Sequence, residues 1–343
     1  MKVWSLGMKL ALNFGYWSRG PRVGTIEEAR AAERLGFDSL WVAETWGSEA
    51  FVYSTWLAAH TSTIKIGTGI AQIAARTPTA TAMAATTLDH LSGGRVILGL
   101  GVSGPQVVEG WYGQPSNRPL ARTREYVEVI RRALRREAPL EHDGDLYQFP
   151  YHGEGSQGLG KPLRLMTHPL RADLPIFLGA EGPKNVAQTA TIADGWLPLY
   201  YSPFRQEVYA DQIAHAKPGF EIYSPVTFTV ADDVAAALAP VKAQLAFYVG
   251  GMGARGQNFH TNLMARLGYE RAAYEVQDLF LAGRRDEATA AMPDDFADEI
   301  SIVGTPSRIR ERLDAWRKSP VTALVIGARD PEQLTVIRDL VES

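Results

Sequence analysis

Two hydrophobic periods alternate along the chain. Short, nearly continuous apolar runs stand at 8–14, 37–43, 64–70, 95–99, 175–179, 195–199, 221–230 and 321–326. Between them apolar residues return every three or four positions, so the pattern predicts buried parallel strands separated by amphipathic helices. Helices are predicted over 25–35, 51–60, 78–91, 120–137, 183–193, 203–216, 232–248, 305–318 and 331–341, and 261–292 reads as largely helical. The stretch 64–101 shows the logic best. An apolar run with glycines leads to Thr77-Pro78, an N-cap followed by a first-turn proline, and Gly93-Gly94 stops the helix before the next run.

Eight strand-and-helix pairs predict an α/β fold, a single (β/α)₈ TIM barrel rather than an open doubly wound sheet built from the same elements. One domain over 1–343 is expected, with insertions after the fourth strand and between the seventh and eighth. The first insertion holds the loop 102–115, a small hairpin at 141–149 turning at Asp143-Gly144, and a glycine-rich loop at 152–160 that reads as part of a lid.

Composition narrows the chemistry. A net charge of −3 on 343 residues argues against nucleic acid or an anionic membrane as partner. With no cysteine there are no disulfides, thiol nucleophiles or thiolate metal sites, which fits a cytosolic protein. Residues 1–18 have no continuous apolar core of a leader, and no run reads as long enough to span a bilayer, so a cytoplasmic location is expected. The chain carries no GxGxxG after its first strand, no Walker loop, no HExxH and no GxSxG.

In this fold chemistry gathers at the carboxyl ends of the strands. Residues 69–72 and 99–104, with Ser103 in the second, are glycine-rich ends that let a ligand approach backbone. Glu44 follows the second strand directly, so its carboxylate suits a base or a cofactor acceptor, the alternative being an acid bonded to loop amides. Glu109, after the fourth strand, is the second such carboxylate. Ala180, Glu181, Gly182 and Pro183 lead from a strand into a helix whose free amides suit a phosphate, or form an ordinary turn. Trp17, Trp46, Trp111, Tyr200 and Tyr201 all follow strands and suit the walls of a pocket for a planar substrate, or plug the barrel mouth. His260 and His168 are the histidines of the active-face additions, and neither has a second ligand at metal spacing.

The run IGTGIAQ…RTPTATAMAATTLDHLSGGRVILGLGVSG, with DSLWVAE before it and AEGPKNVAQTATIADGWLP after it, resembles the luciferase-like monooxygenase superfamily. Within it the chain resembles the branch that uses the deazaflavin coenzyme F420, while FMN-using relatives share the barrel. The resemblance implies hydride transfer between C5 of the deazaflavin and a small organic substrate, the alternatives being an FMN-dependent monooxygenase and a non-catalytic flavin carrier. It implies a non-prolyl cis peptide at Gly69-Ile70 behind the ring, with Ala71 and Gln72 continuing the contact. It also implies Glu44 near the reactive face, the Ala180-Glu181-Gly182-Pro183 turn on the cofactor phosphate, and a homodimer or higher homo-oligomer paired through helices on one flank. Glu44 is the first candidate for proton transfer and His260 the second. Relatives acting on a sugar phosphate carry a histidine after the strand-two acid and a glutamate after strand four. Here Thr45 and Ser103-Gly104-Pro105 stand there.

Overall fold

A computed structural model describes residues 7–17, 19–327 and 330–343; residues 1–6 and Ser18, included in the reading of the amino terminus, lie outside the described residues. The strands are β1 (Lys9–Asn13), β2 (Ser39–Val42), β3 (Lys65–Thr68), β4 (Val96–Gly101), β5 (Ile176–Gly179), β6 (Gly195–Leu197), β7 (Glu221–Val230), β8 (Ser301–Gly304) and β9 (Ala323–Ile326). All pair in parallel. β1 to β7 follow one another around the ring, β7 pairs with β9 and β9 with β1, so the barrel closes. The closed eight-stranded α/β barrel is the fold the hydrophobic pattern predicts.

β8 is the strand that pattern leaves unassigned. It pairs with the far half of β7, Ser301 opposite Thr227 through Gly304 opposite Val230, beyond the part of β7 that meets β9. Only a strand of ten residues is long enough to serve both neighbours.

The helices used below are α1 (Thr25–Arg34), α2 (Ala50–Ala59), α3 (Pro78–Ser92), α4 (Pro105–Gly110), α5 (Pro119–Arg135), α6 (Pro183–Ile192), α7 (Glu207–Ile213), α8 (Val234–Gly251) and α9 (Phe259–Met264). α3 begins and ends as its sequence signals require: Thr77 Oγ1 accepts from Ala80 N, and Gly93 closes it at φ 70°. α1 departs from expectation, because left-handed Gly24 is its N-cap and Thr25 instead donates to the Arg22 carbonyl. α4 forms within the stretch predicted as loop. α8 is long and apolar enough to cross a bilayer by composition, which the sequence reading expects of no run; here Leu238, Val241, Leu245, Ala246 and Val249 face the core.

Large rings fill the barrel. Trp41, Phe177 and Tyr223 pack inside with Ala11, Ile97, Ala323 and Val325, and the Phe177 and Tyr223 rings meet edge to face at 5.2 Å. Neighbouring strands make room with glycine: a Cβ on Gly67 would stand 2.6 Å from the Trp41 indole. Beyond the amino ends, Lys65 and Tyr223 both donate to Asp38, at 2.8 and 2.7 Å. Burial works to raise the Asp38 carboxyl, but those two bonds outweigh it and hold it below the usual range. The base of the barrel is thereby closed by charge and the core by aromatic rings, which leaves the carboxyl rim for ligands.

Candidate active site at the carboxyl rim

β3 ends in a turn that reshapes this rim. Gly69-Ile70 is a non-prolyl cis peptide, after which Ala71 and Gln72 pair with Leu100 and Gly101 of β4. The Ile70 side chain lies across the strand ends, in space that glycine leaves open. A Cβ on Gly101 would approach Ile70 Cδ1 to 2.8 Å, and one on Gly179 would approach Ile70 Cγ2 to 3.3 Å. The glycines of 99–104 therefore admit the protein's own groups, not a ligand alone: a Cβ on Gly99 would collide with the Thr68 carbonyl at 1.8 Å. Ala71 and Gln72 are buried, so what they offer a ligand is mainly backbone.

Glu44 stands at the rim but is fully engaged. Its carboxylate accepts from Gln72 N at 2.8 Å, Ala50 N at 3.3 Å, and Arg76 through Nη1 at 2.9 Å and Nη2 at 2.5 Å. Gln72 Nε2 returns a bond to the Glu44 carbonyl at 3.0 Å. Arg76 also pairs with Glu49, and although burial works against its charge, the two carboxylates hold its pKa above the ordinary value. Glu44 is thus an ion-paired acid that ties β2 to the turn after β3. That is the structural alternative for this residue, and it leaves no free lone pair for a base. Arg76, which the sequence reading passes over, had a signal in its place directly before the Thr77-Pro78 helix start.

A second cluster forms across the rim. Glu181 follows β5, Tyr200 follows β6, Tyr248 lies in α8 and His260 opens α9. His260 Nδ1 is 3.0 Å from Glu181 Oε2, and both side chains are largely buried. The two atoms face each other without hydrogen-bond alignment and have no other partner among the described residues. The imidazole is met edge-on by Tyr200 at 5.9 Å and Tyr248 at 5.2 Å. Tyr248 reaches Tyr16, after β1, at 3.4 Å between hydroxyls. Tyr200 is left-handed at φ 57° and its hydroxyl is buried without a hydrogen-bond partner among the described residues; burial pushes it well above the usual phenol range, and the neighbouring Tyr248 and Glu181 add to this. Asn258 holds the cluster's base, accepting from the His260 amide and donating to the carbonyls of Tyr248 and Val249. Tyr248 lies in the last turn of α8, so strand-end reasoning could not find it.

The turn into α6 is open. Gly182 is the N-cap with no side-chain cap, Pro183 is the first helical residue, and a Cβ on Gly182 would meet nothing within 4 Å. The Glu181 carboxylate turns to His260, and its carbonyl accepts from Arg266 at 2.6 Å. Ala180 is buried, its carbonyl taking the Trp196 indole N–H at 2.8 Å. Ser103, at φ 60°, lines a small cavity with Ile73, Ala74, Arg122 and Phe259.

The aromatic residues divide. Trp46 and Trp111 are exposed at the rim. Trp17 leans on Tyr53 of α2 at 4.8 Å and is part of the wall. Tyr201 belongs to the core, stacked on Tyr209 at 5.3 Å and 1% exposed, so it cannot touch a substrate. Glu109 is bonded to Ser116, and His168 pairs with Arg136 on the outer flank, away from the rim. Residues 152–160 bond locally, through Ser156 to Gly153 and His152 to Asp143. They adjoin the hairpin, which packs on α5 through Glu125. A concavity of about 450 Å³ also lies on that flank between α3, α5 and the 138–167 segment, and no rim acid or tyrosine lines it.

The model of the luciferase-like monooxygenase family matches residues 19–323. A Mycobacterium tuberculosis protein, whose name provisionally makes it a coenzyme F420-dependent oxidoreductase, is 50% identical over 97% of this chain and 98% of its own length. The 5,10-methylenetetrahydromethanopterin reductase of Archaeoglobus fulgidus is 30% identical over 87% of each chain. In fold the chain is similar to the coenzyme F420-dependent tetrahydromethanopterin reductase of Methanopyrus kandleri, with a TM-score of 0.79, 22% identity, and 98% and 99% of the two chains covered. An F420-dependent secondary alcohol dehydrogenase in complex with an F420-acetone adduct follows at TM-score 0.70, 18% identity and 98% of both chains.

Proposed function

We propose that this chain, which belongs to the luciferase-like monooxygenase family, is a coenzyme F420-dependent oxidoreductase acting on a small organic substrate. The observation that carries the reading is the 50% identity, over nearly the whole length, to a relative named for that cofactor. When bound, the deazaflavin supplies a hydride at C5.

The residues present fit such a group. Ile70, seated between Gly101 and Gly179, offers a flat apolar floor. The start of α6 at Gly182 has no side-chain cap and open space beside it, and the helix dipole favours an anion there. Glu44 and Arg76 act as positioning residues by fixing the backbone of Gln72. Trp46 and Trp111, with Tyr16, supply exposed aromatic surface to hold substrate and exclude water. The test is calorimetric titration of cofactor-free protein with F420, compared with Gly182→Trp, which should bind more weakly while melting as the parent does.

The partner proposed is a second copy of the chain. α2 is apolar around its whole circumference, yet Val52 is 71% and Trp56 37% exposed, and Met83 and Leu91 stand exposed on α3 beside it. A helix hydrophobic on every side is stable where every side is covered.

A further inference from the structure

We propose that the flank concavity between α3 and α5 is a binding site for an amphipathic anion, a single-chain acyl carboxylate, separate from the rim and independent of the cofactor reading. Its volume, about 450 Å³, lies in the range of pockets that enclose a small ligand. The space is held by the fold. The segment 161–168, which forms one wall, is tied at intervals to what lies behind it: Leu140 N donates to the Leu163 carbonyl at 2.8 Å and Arg136 Nε to the Leu165 carbonyl at 2.7 Å. On the other side His90 Nε2, from α3, meets the His168 carbonyl at 2.8 Å.

The lining selects the ligand in two ways. Arg136, Lys161 and Arg164 line the space, and no carboxylate does. Arg136 reaches His168 Nδ1 at 3.0 Å and Arg164 reaches the Glu137 carbonyl at 3.3 Å, so both spend donors on neutral groups. Lys161 has no hydrogen bond or ion pair among the described residues. Three cations with no acid between them favour an anionic group, to which each can give a charge-assisted hydrogen bond.

The rest of the lining is largely apolar. Met83, Phe149, Leu163, Leu165 and Met166 supply it, and Leu163 and Met166 are 70% and 92% exposed. Methionine side chains adapt to a flexible chain laid against them. Thr86, 2% exposed in the wall, has a hydroxyl with no hydrogen-bond partner among the described residues, a donor that the fold does not use. A small inorganic anion would leave the apolar wall bare, and a hydrocarbon would leave the cations unanswered. An anionic membrane needs a projecting face rather than a concave one. A molecule with one carboxylate head and an apolar tail satisfies both parts. Met83 also belongs to the apolar face proposed for pairing, so the variants below leave it in place.

The experiment is calorimetric titration of the full chain with dodecanoate below its micelle-forming concentration, with and without saturating F420. One dodecanoate should bind per chain, with the same affinity in both conditions. Dodecanol should bind roughly tenfold more weakly or worse, and dodecyltrimethylammonium should give no saturable heat. Lys161→Glu with Arg164→Glu should lower the dodecanoate affinity by about tenfold or more. Thr87→Trp, which brings a ring into the same space from the exposed face of α3, should abolish binding. Both variants should melt as the parent does, and Thr87→Trp should keep the parent's mass in sedimentation velocity. Absence of saturable binding would overturn the proposal, as would an affinity that neither variant changes. Competition between dodecanoate and F420 would move the anion to the rim and overturn it too. A fall in the sedimenting mass of Thr87→Trp would make the concavity an interface between copies of the chain and overturn it in favour of that reading.

Discussion

Glu44→Gln separates the two roles this residue can have. The Glu44 side chain is 3% exposed and that of Arg76 17%, with two guanidinium bonds between them. Removing one member of a buried pair costs about 3 to 5 kcal/mol, because the other charge is left desolvated. Glutamine keeps the shape and Arg76 keeps Glu49, so the lower end, about 3 kcal/mol, is expected for Glu44→Gln. Arg76→Met strips the anion bare and should cost about 4 kcal/mol. At roughly 2.1 cal/mol/K of unfolding entropy per residue, a chain of 343 residues turns 3 kcal/mol into a fall of about 4 °C in Tm. The assay is near-UV circular dichroism melting of the parent, both single variants and the double variant. The double should lose about 2 kcal/mol less than the sum of the singles. Turnover measured well below the melt should stay within a few-fold. A Glu44→Gln that melts with the parent but loses 10²-fold or more in kcat would refute this reasoning and restore Glu44 as the base.

Other outcomes follow from the same structure. The Glu33 carboxylate is partly desolvated, which raises it, but amides of Thr63, Ile64 and Ser62 outweigh this and bring its pKa down to about 2. With the folded pKa depressed, its contribution is present above the unfolded value of 4.5 and is lost as pH falls toward 2. Glu33→Gln should therefore cost roughly 1 to 2 kcal/mol at pH 7, after allowance for solvent screening, and little near pH 2, read by urea titration at both pH values. Gly101→Val should crowd Ile70 and weaken F420 binding tenfold or more while the amino-end charge network is untouched, read by calorimetry beside melting. Trp56→Glu with Met83→Glu should convert a dimer to a monomer in sedimentation velocity; unchanged mass would place the interface elsewhere.

The strands were legible because a barrel strand is covered on both faces and reads as an unbroken apolar run. β8 escaped because Ser301–Gly304 is short and is set by its partner, the far half of β7. The rim glycines were legible as special but not in their purpose. At Gly99 and Gly101 the approaching atoms are Thr68 O and Ile70 Cδ1, and only the folded register shows this. Glu44 was found by its place after β2, whereas its engagement with Arg76 needs two loops 32 residues apart to meet. Tyr201 was misplaced because a strand end does not say which of two adjacent tyrosines turns inward; Tyr200 faces His260 and Tyr201 faces Tyr209. His260 and Glu181 were each singled out, but their contact joins α9 to β5, and no spacing in the sequence encodes it.

The most direct test of the central claim is equilibrium titration of cofactor-free protein with F420 and, separately, with reduced FMN under air. The account predicts saturable one-to-one binding of F420, hydride exchange with a small organic substrate, and no oxygen-dependent turnover with FMN. Tight binding of reduced FMN with oxygen consumption, and no affinity for F420, would contradict it.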